Sequence, residues 1–246
     1  MPSTNTGRIL ALAERLDTLA GIFAIGMKPT GTKDPFALRR AALGVLRIII
    51  ELELPLDLTD LLDTAMQNVA EQLGEKPDSA EVLTYVLERL PAYYHDQGIG
   101  AELVEAVAVL RPTQPLDFDQ RVKAVAAFRQ LAASESLAAA NKRISNILCK
   151  VEGDIAEAVD DSLLQEKAEK VLAAAISAQQ EKVLPLFADG HYEAALLSLA
   201  ELREPVDQFF DDVMVMTDDE ALKNNRLALL NHLRGLFLRV ADLSVL

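Results

Sequence analysis

Residues 218–242 read DDEALKNNRLALLNHLRGLFLRVAD, the clearest helical stretch of the chain. Leu222, Leu229, Leu233, Leu236 and Val240 recur at helical spacing and define one apolar stripe. The start has helix-opening chemistry: Thr217 can cap, Glu220 sits three positions on, and Asp218 and Asp219 suit the positive end of the helix dipole. Lys223 and Arg234 fall together at the border of the stripe.

The same periodicity extends outward over most of the sequence. It predicts helices near 7–25, 35–53, 57–73, 78–90, 99–110, 117–150, 162–187, 191–202 and 204–216. Ala and Leu dominate, and β-branched residues form no alternating runs, so the expected fold is all-α, a helical bundle. Asp34-Pro35 reads as an N-cap with proline at the first helical position, Asp78-Ser79-Ala80-Glu81 as a near capping box, and Asp189-Gly190 as a stop between helices. Two prolines within Arg111-Pro112-Thr113-Gln114-Pro115 bar a continuous helix. They divide the chain into parts 1–112 and 113–246. No repeat of solenoid length recurs.

Of the 246 residues, 50% are hydrophobic and 25% charged, enough for one large or two ordinary domains and too apolar for a disordered chain. The greasiest run, Leu46 to Leu54, is interrupted by Arg47, Glu51 and Glu53 and closed by Pro55, so no membrane span is expected. The single cysteine, Cys149, excludes a disulfide framework. Met1-Pro2-Ser3-Thr4-Asn5 is polar, unlike a secretion signal, and a reducing, cytoplasmic setting is expected.

The net charge of −14 is unevenly spread. Residues 26–50 carry five bases and one acid, residues 111–150 seven bases and three acids, and residues 221–246 four bases and one acid. Acidic blocks separate them. Either the basic blocks converge into a local anion-binding surface, or acidic and basic helices pair with one another.

No catalytic constellation stands out. His95-Asp96 lacks the further histidine and aspartate ligands that a metal phosphohydrolase needs, so no metal site is expected. Gly26-Met27-Lys28-Pro29-Thr30-Gly31-Thr32-Lys33 departs from a phosphate loop because Thr32 stands where lysine should follow the glycine and Pro29 removes an N–H. Cys149 has no histidine near it in sequence. In Asn141–Lys150, Ile144, Ile147, Leu148 and Val151 make a core stripe, while Lys142, Asn146 and Lys150 share one exposed ridge at four-residue spacing. Ammonium groups suit phosphates and an amide can read a base edge, although such a ridge can equally be a solubilising face. Arg226 projects only about 30–40° from the apolar stripe of its helix. It pairs with Asp207, Asp211 or Asp212, or it opens into an RNA-facing groove. Arg40 and Arg47 lie seven apart on one face beside Gly44.

Several long, collinear strings resemble the beta subunit of bacterial, heterotetrameric (α2β2) glycyl-tRNA synthetases. They are Leu12–Gly26 running into Pro29–Gly44; Ala138-Ala139-Ala140-Asn141-Lys142-Arg143-Ile144-Ser145-Asn146-Ile147-Leu148; and Phe209–Met216 followed by Asn224-Asn225-Arg226-Leu227 and Leu236–Asp242. The family usually has Asp-Lys at Glu14-Arg15. The resemblance implies a C-terminal fragment of a longer subunit, with Met1-Pro2-Ser3 as an artificial start. It implies that residues 1–112 end an HD-like helical domain with connecting helices. Residues 113–246 would form a helical anticodon-binding domain similar to that of arginyl-tRNA synthetases, with Asp219-Glu220-Ala221-Leu222-Lys223 loosely resembling D-A-L-R. The implied partners are glycine tRNA and the alpha subunit, which would use ATP to activate glycine. The fragment would hold no cofactor and carry no catalysis of its own. Taken with the basic ridge, the candidate RNA contacts are Lys142, Arg143, Asn146, Lys150, Lys223 and Arg234, with Arg39, Arg40 and Arg47 in addition. The competing class is a helical protein–protein module that docks the catalytic subunit.

Overall fold

The computed structural model describes residues 2–29, 33–73, 78–151 and 153–246. Thr30–Thr32, in the middle of the glycine-containing loop, lie outside the described residues. All regular elements among the described residues are helical. The chain divides into two compact units: Met1–Val104 with Arg111–Asp119, and Glu105–Leu110 with Gln120–Leu246.

The first unit contains α1 (Asn5–Ala24), α2 (Leu38–Glu51), α3 (Leu58–Leu73), α4 (Ser79–Leu87) and α5 (Leu90–His95). Helix α6 (Ala101–Ala108) begins there, and so does α7 (Pro115–Phe128). α1 packs on both α2 and α3 through Leu12, Leu16, Leu19 and Phe23, all buried. Gly44 of α2 lies against the Arg15 side chain of α1: a Cβ there would come within 2.6 Å of Arg15 Nε, and Arg15 would have to shift to accommodate it. Asp34 caps α2 as the sequence suggests, but from further away. Its carboxylate accepts from the N–H groups of Leu38 at 2.8 Å and Arg39 at 3.0 Å, across a turn with Ala37 at φ 57°. Pro35 therefore precedes the helix, which starts at Leu38.

The segment after Pro112 returns to the first unit. Leu58 N–H donates to the Thr113 carbonyl at 3.0 Å, and the Thr113 hydroxyl donates to Asp57 at 2.6 Å. Burial pushes the Asp57 carboxyl up, but hydrogen bonds from Thr113 and Thr59 outweigh it and hold the group below the usual carboxylate range. Within the same unit the buried Tyr94 hydroxyl donates to Asp119 at 3.1 Å, while its ring stacks on Phe118.

The second unit is built from α8 (Ser134–Leu148), α9 (Lys167–Ala188), α10 (Tyr192–Leu199), α11 (Arg203–Asp212) and α12 (Glu220–Leu238). α9 packs on α10, α11 and α12, and α8 on α11, α12 and a short 3-10 turn at Leu243–Val245. α12 is more deeply enclosed than a one-sided stripe requires: Asn225, Arg226, Leu227, Ala228, Leu229 and Leu230 are all buried. Its cap is Asp219, not Thr217. The Asp219 carboxylate accepts from the Ala221 and Leu222 N–H groups at 3.0 and 3.1 Å.

Two helix assignments change: α5 (Leu90–His95) falls between the expected helices 78–90 and 99–110, and the expected helix over 117–150 is split. The single helix read over 117–150 is two, α7 and α8, with a turn over 129–133. No glycine or proline marks it. The Ser134 hydroxyl donates to the orphaned Arg129 carbonyl at 3.1 Å, and Phe128 and Leu137 on either side are both buried. The core stripe of α8 is also narrower than its sequence suggests. Ile144 is buried, whereas Ile147, Leu148 and Val151 are half-exposed.

Candidate nucleic-acid interface

α8 turns its buried face, Leu137, Ala138, Ala140, Asn141 and Ile144, toward the second unit's core. The opposite ridge carries Lys142, Arg143, Asn146 and, just beyond the helix end, Lys150, all exposed. These four side chains, with Ala139, Ile147 and Met216, line one surface hollow of about 430 Å³. The Arg143 guanidinium lies 4.2 Å from the centre of the Phe210 ring, which projects from α11. Its planar cation is thereby pre-oriented.

The wall opposite α8 is the segment between α11 and α12. It leaves α11 in an extended conformation at Val213, so successive side chains alternate. Val213 and Val215 are buried, while Met214 is 75% and Met216 55% exposed. Arg226 fixes this segment. Its Nε donates to Glu169 at 2.6 Å and its Nη1 to the Met214 carbonyl at 2.9 Å. Glu169 in turn caps the start of α9, accepting from the N–H groups of Gln165 and Glu166. The pairing alternative for Arg226 is therefore realised, but its partner is Glu169 on α9. The candidates Asp207, Asp211 and Asp212 lay on the sequence-adjacent helix. Beside Arg226, Asn225 clamps the backbone of Asp160, accepting from its N–H at 2.7 Å and donating to its carbonyl at 3.0 Å.

A second hollow of about 520 Å³ adjoins the ridge. Lys142 lines it together with Arg129, Ser134, Glu135 and Leu246. Arg129 was not singled out from sequence. In one unbroken helix, 13 residues turn the direction by about 220°, which places Arg129 on the face away from Lys142. The turn over 129–133 removes that separation.

The basic residues of α12 behave differently. Lys223 is held by Glu220 at 2.7 Å, and Arg234 by Asp242 at 3.1 Å. Neither lines the two hollows at the ridge. In the first unit, Arg39 and Arg47 line a hollow of about 610 Å³ on α2, and Arg47 is hydrogen-bonded to Glu51 at 2.6 Å. Arg40 is exposed but does not line that hollow; Leu43 stands between Arg39 and Arg47 instead. His95 and Asp96 are both largely exposed at the end of α5. Among the described residues, no helix is long and apolar enough to cross a membrane.

Residues 1–109 match the family model described as glycyl-tRNA synthetase beta subunit. Residues 137–241, which hold the whole ridge as far as Lys150 as well as Phe210, Met216 and α12, match the DALR anticodon binding domain. Curated relatives agree over the full chain. The glycine–tRNA ligase beta subunit of Marinobacter nauticus is 59% identical over 247 residues, that of Aeromonas salmonicida 58% over 246 residues, and that of an Aliivibrio fischeri strain 55% over 246 residues. The chain spans 36% of the length of each of these relatives.

Proposed function

The chain belongs to the glycyl-tRNA synthetase beta subunit family, and on that premise we propose that it recognises the anticodon arm of glycine tRNA through the ridge of α8. The α8 hollow carries this reading. It sets two ammonium groups, an amide and an aromatic-stacked guanidinium around an apolar floor, inside the segment that matches an anticodon-binding domain. Lys142 and Lys150 hold phosphates. Asn146 offers an amide to a base edge, and Ile147, Met216 and Arg143 offer surfaces for an unstacked base. The chain performs no chemistry and holds no cofactor in this reading. It serves an alpha subunit that charges tRNA with glycine at the expense of ATP, in an α2β2 assembly in the cytoplasm.

The test is a mobility-shift titration with glycine tRNA against an unrelated tRNA over a range of salt. Selective, salt-dependent binding that weakens in K142Q/K150Q supports the reading; equal affinity for both tRNAs, or no binding, overturns it. A second reading has its own observation. Ile9 and Leu10 of α1 are 69% and 68% exposed, and α12 consumes its cations internally, as a protein-docking module would. Association with the alpha subunit without RNA binding would favour it.

A further inference from the structure

The hollow on α2 differs from the α8 ridge in kind. Arg39, Leu43 and Arg47 form one side of it, and Arg89 at the start of α5, with Tyr93 and Gln97 beyond, forms the other. Three guanidiniums thus meet two lining carboxylates, Glu51 and Asp96. At about 610 Å³ it is the size of an ordinary small-ligand site.

Arg47 and Arg89 keep donors that the fold does not use. Arg47 gives its Nε to Glu51, and the Arg47 side chain is 52% exposed. An exposed pair of this spacing is weakly held, and both Nη groups remain available as donors. Arg89 stacks 5.0 Å from the centre of the Tyr85 ring and gives Nη2 to Glu88 at 2.9 Å. Its Nε is shut from solvent and meets no acceptor among the described residues, as does the Tyr85 hydroxyl. Burial pushes the Tyr85 phenol up, and Asp34 adds to that, while the positive charges of Arg89 and Arg39 oppose it. The Nη groups of the half-exposed Arg47 side chain are donors that an anion in the hollow can reach. Beside them, Leu43, Ala92 and Tyr93 give an apolar and aromatic wall. A bare phosphate has no use for such a wall, whereas a nucleobase does.

We propose that this hollow binds a nucleotide unit, its phosphate on Arg47 and Arg89 and its base against Tyr93. The proposal rests on the tRNA-binding reading above for its first source, an RNA strand. A free mononucleotide offers the same chemistry and is the second source. The site lies wholly within the first unit, outside the segment matched to the anticodon-binding domain.

The test uses the 246-residue chain in four forms: unaltered, R47Q, R47Q/R89Q and K142Q/K150Q, with K170Q as a remote surface control. Each is titrated with glycine tRNA across salt and, separately, with AMP followed by the NMR signals of the Tyr93 and Arg side chains. R47Q guards against misfolding, because Arg47 makes only a surface pair. If RNA is the source, each lost phosphate contact lowers the slope of log affinity against log salt by about 0.7 and affinity at low salt falls about tenfold for R47Q/R89Q. If a free nucleotide is the source, tRNA binding is unchanged and AMP shifts the Tyr93 signals in the unaltered chain but not in R47Q/R89Q. Unchanged tRNA binding in R47Q/R89Q together with no arginine-dependent AMP shift overturns the proposal. Failure of the unaltered chain to bind tRNA sinks the anticodon reading. The nucleotide site then stands or falls on the AMP arm alone.

Discussion

α8 and α12 carry similar cations in the same unit and put them to opposite uses. On α12, Arg226 is buried against Glu169, Arg234 is half-buried against Asp242, and Lys223 is tied to Glu220. Even the carbonyls at the end of that helix are occupied, since Arg121 donates to those of Arg239 and Val240 at 2.6 and 3.3 Å. On α8, Lys142, Arg143, Asn146 and Lys150 face outward around one hollow, and the aromatic partner of Arg143 leaves its charge unneutralised. A positive residue reports a binding surface only when no carboxylate of the fold has claimed it. On α12 the cations stabilise the scaffold; on α8 they face outward around a surface hollow.

Four variants and one rescue double variant test this contrast. The largest effect belongs to R226M. Removing one partner of a buried pair strands Glu169, at a cost of about 3–5 kcal/mol in urea unfolding, and the double variant R226M/E169L recovers much of it. A loss below about 1 kcal/mol would mean that the pair is solvated and that α12 is not the internal helix described here. R234M comes next. Asp242 keeps its hydrogen bonds from the Ser244 N–H and hydroxyl, so the loss is about 1–2 kcal/mol, read in the same experiment. K142Q/K150Q leaves stability within about 0.5 kcal/mol but lowers the salt slope of tRNA binding by about 1.4; a stability loss with an unchanged slope would assign α8 the role given to α12. The smallest effect is that of K223Q, an exposed pair worth about 0.5 kcal/mol or less. It should leave the salt slope untouched, and a fall of about 0.7 would return Lys223 to the RNA surface.

The elements were largely legible because most helices show an apolar period and end at a glycine, a proline or a capping acid. Asp34, Asp78 and Gly190 act in the structure much as their chemistry suggests. The turn over 129–133 was not legible, because Ser134 and the burial of Phe128 and Leu137 make it without a breaker residue. That one turn hid Arg129 from the ridge. The alternation of Val213, Met214, Val215 and Met216 could have placed the methionines outward, but only the pin from Arg226 to the Met214 carbonyl sets them against α8. The partner of Arg226 was sought among the nearest acids in sequence, whereas the fold supplied one 57 residues away.

By itself the sequence determined the all-α character of the described residues and the ridge of Lys142, Asn146 and Lys150, because helical period and charge spacing are local properties of consecutive residues. The tertiary structure alone decided which cations are spent. Pairing Arg226 with Glu169, seating Arg143 on Phe210 and bringing Arg89 to the same hollow as Arg47 all join residues distant along the chain, and no local spacing records which carboxylate or ring a guanidinium will meet once the core has closed.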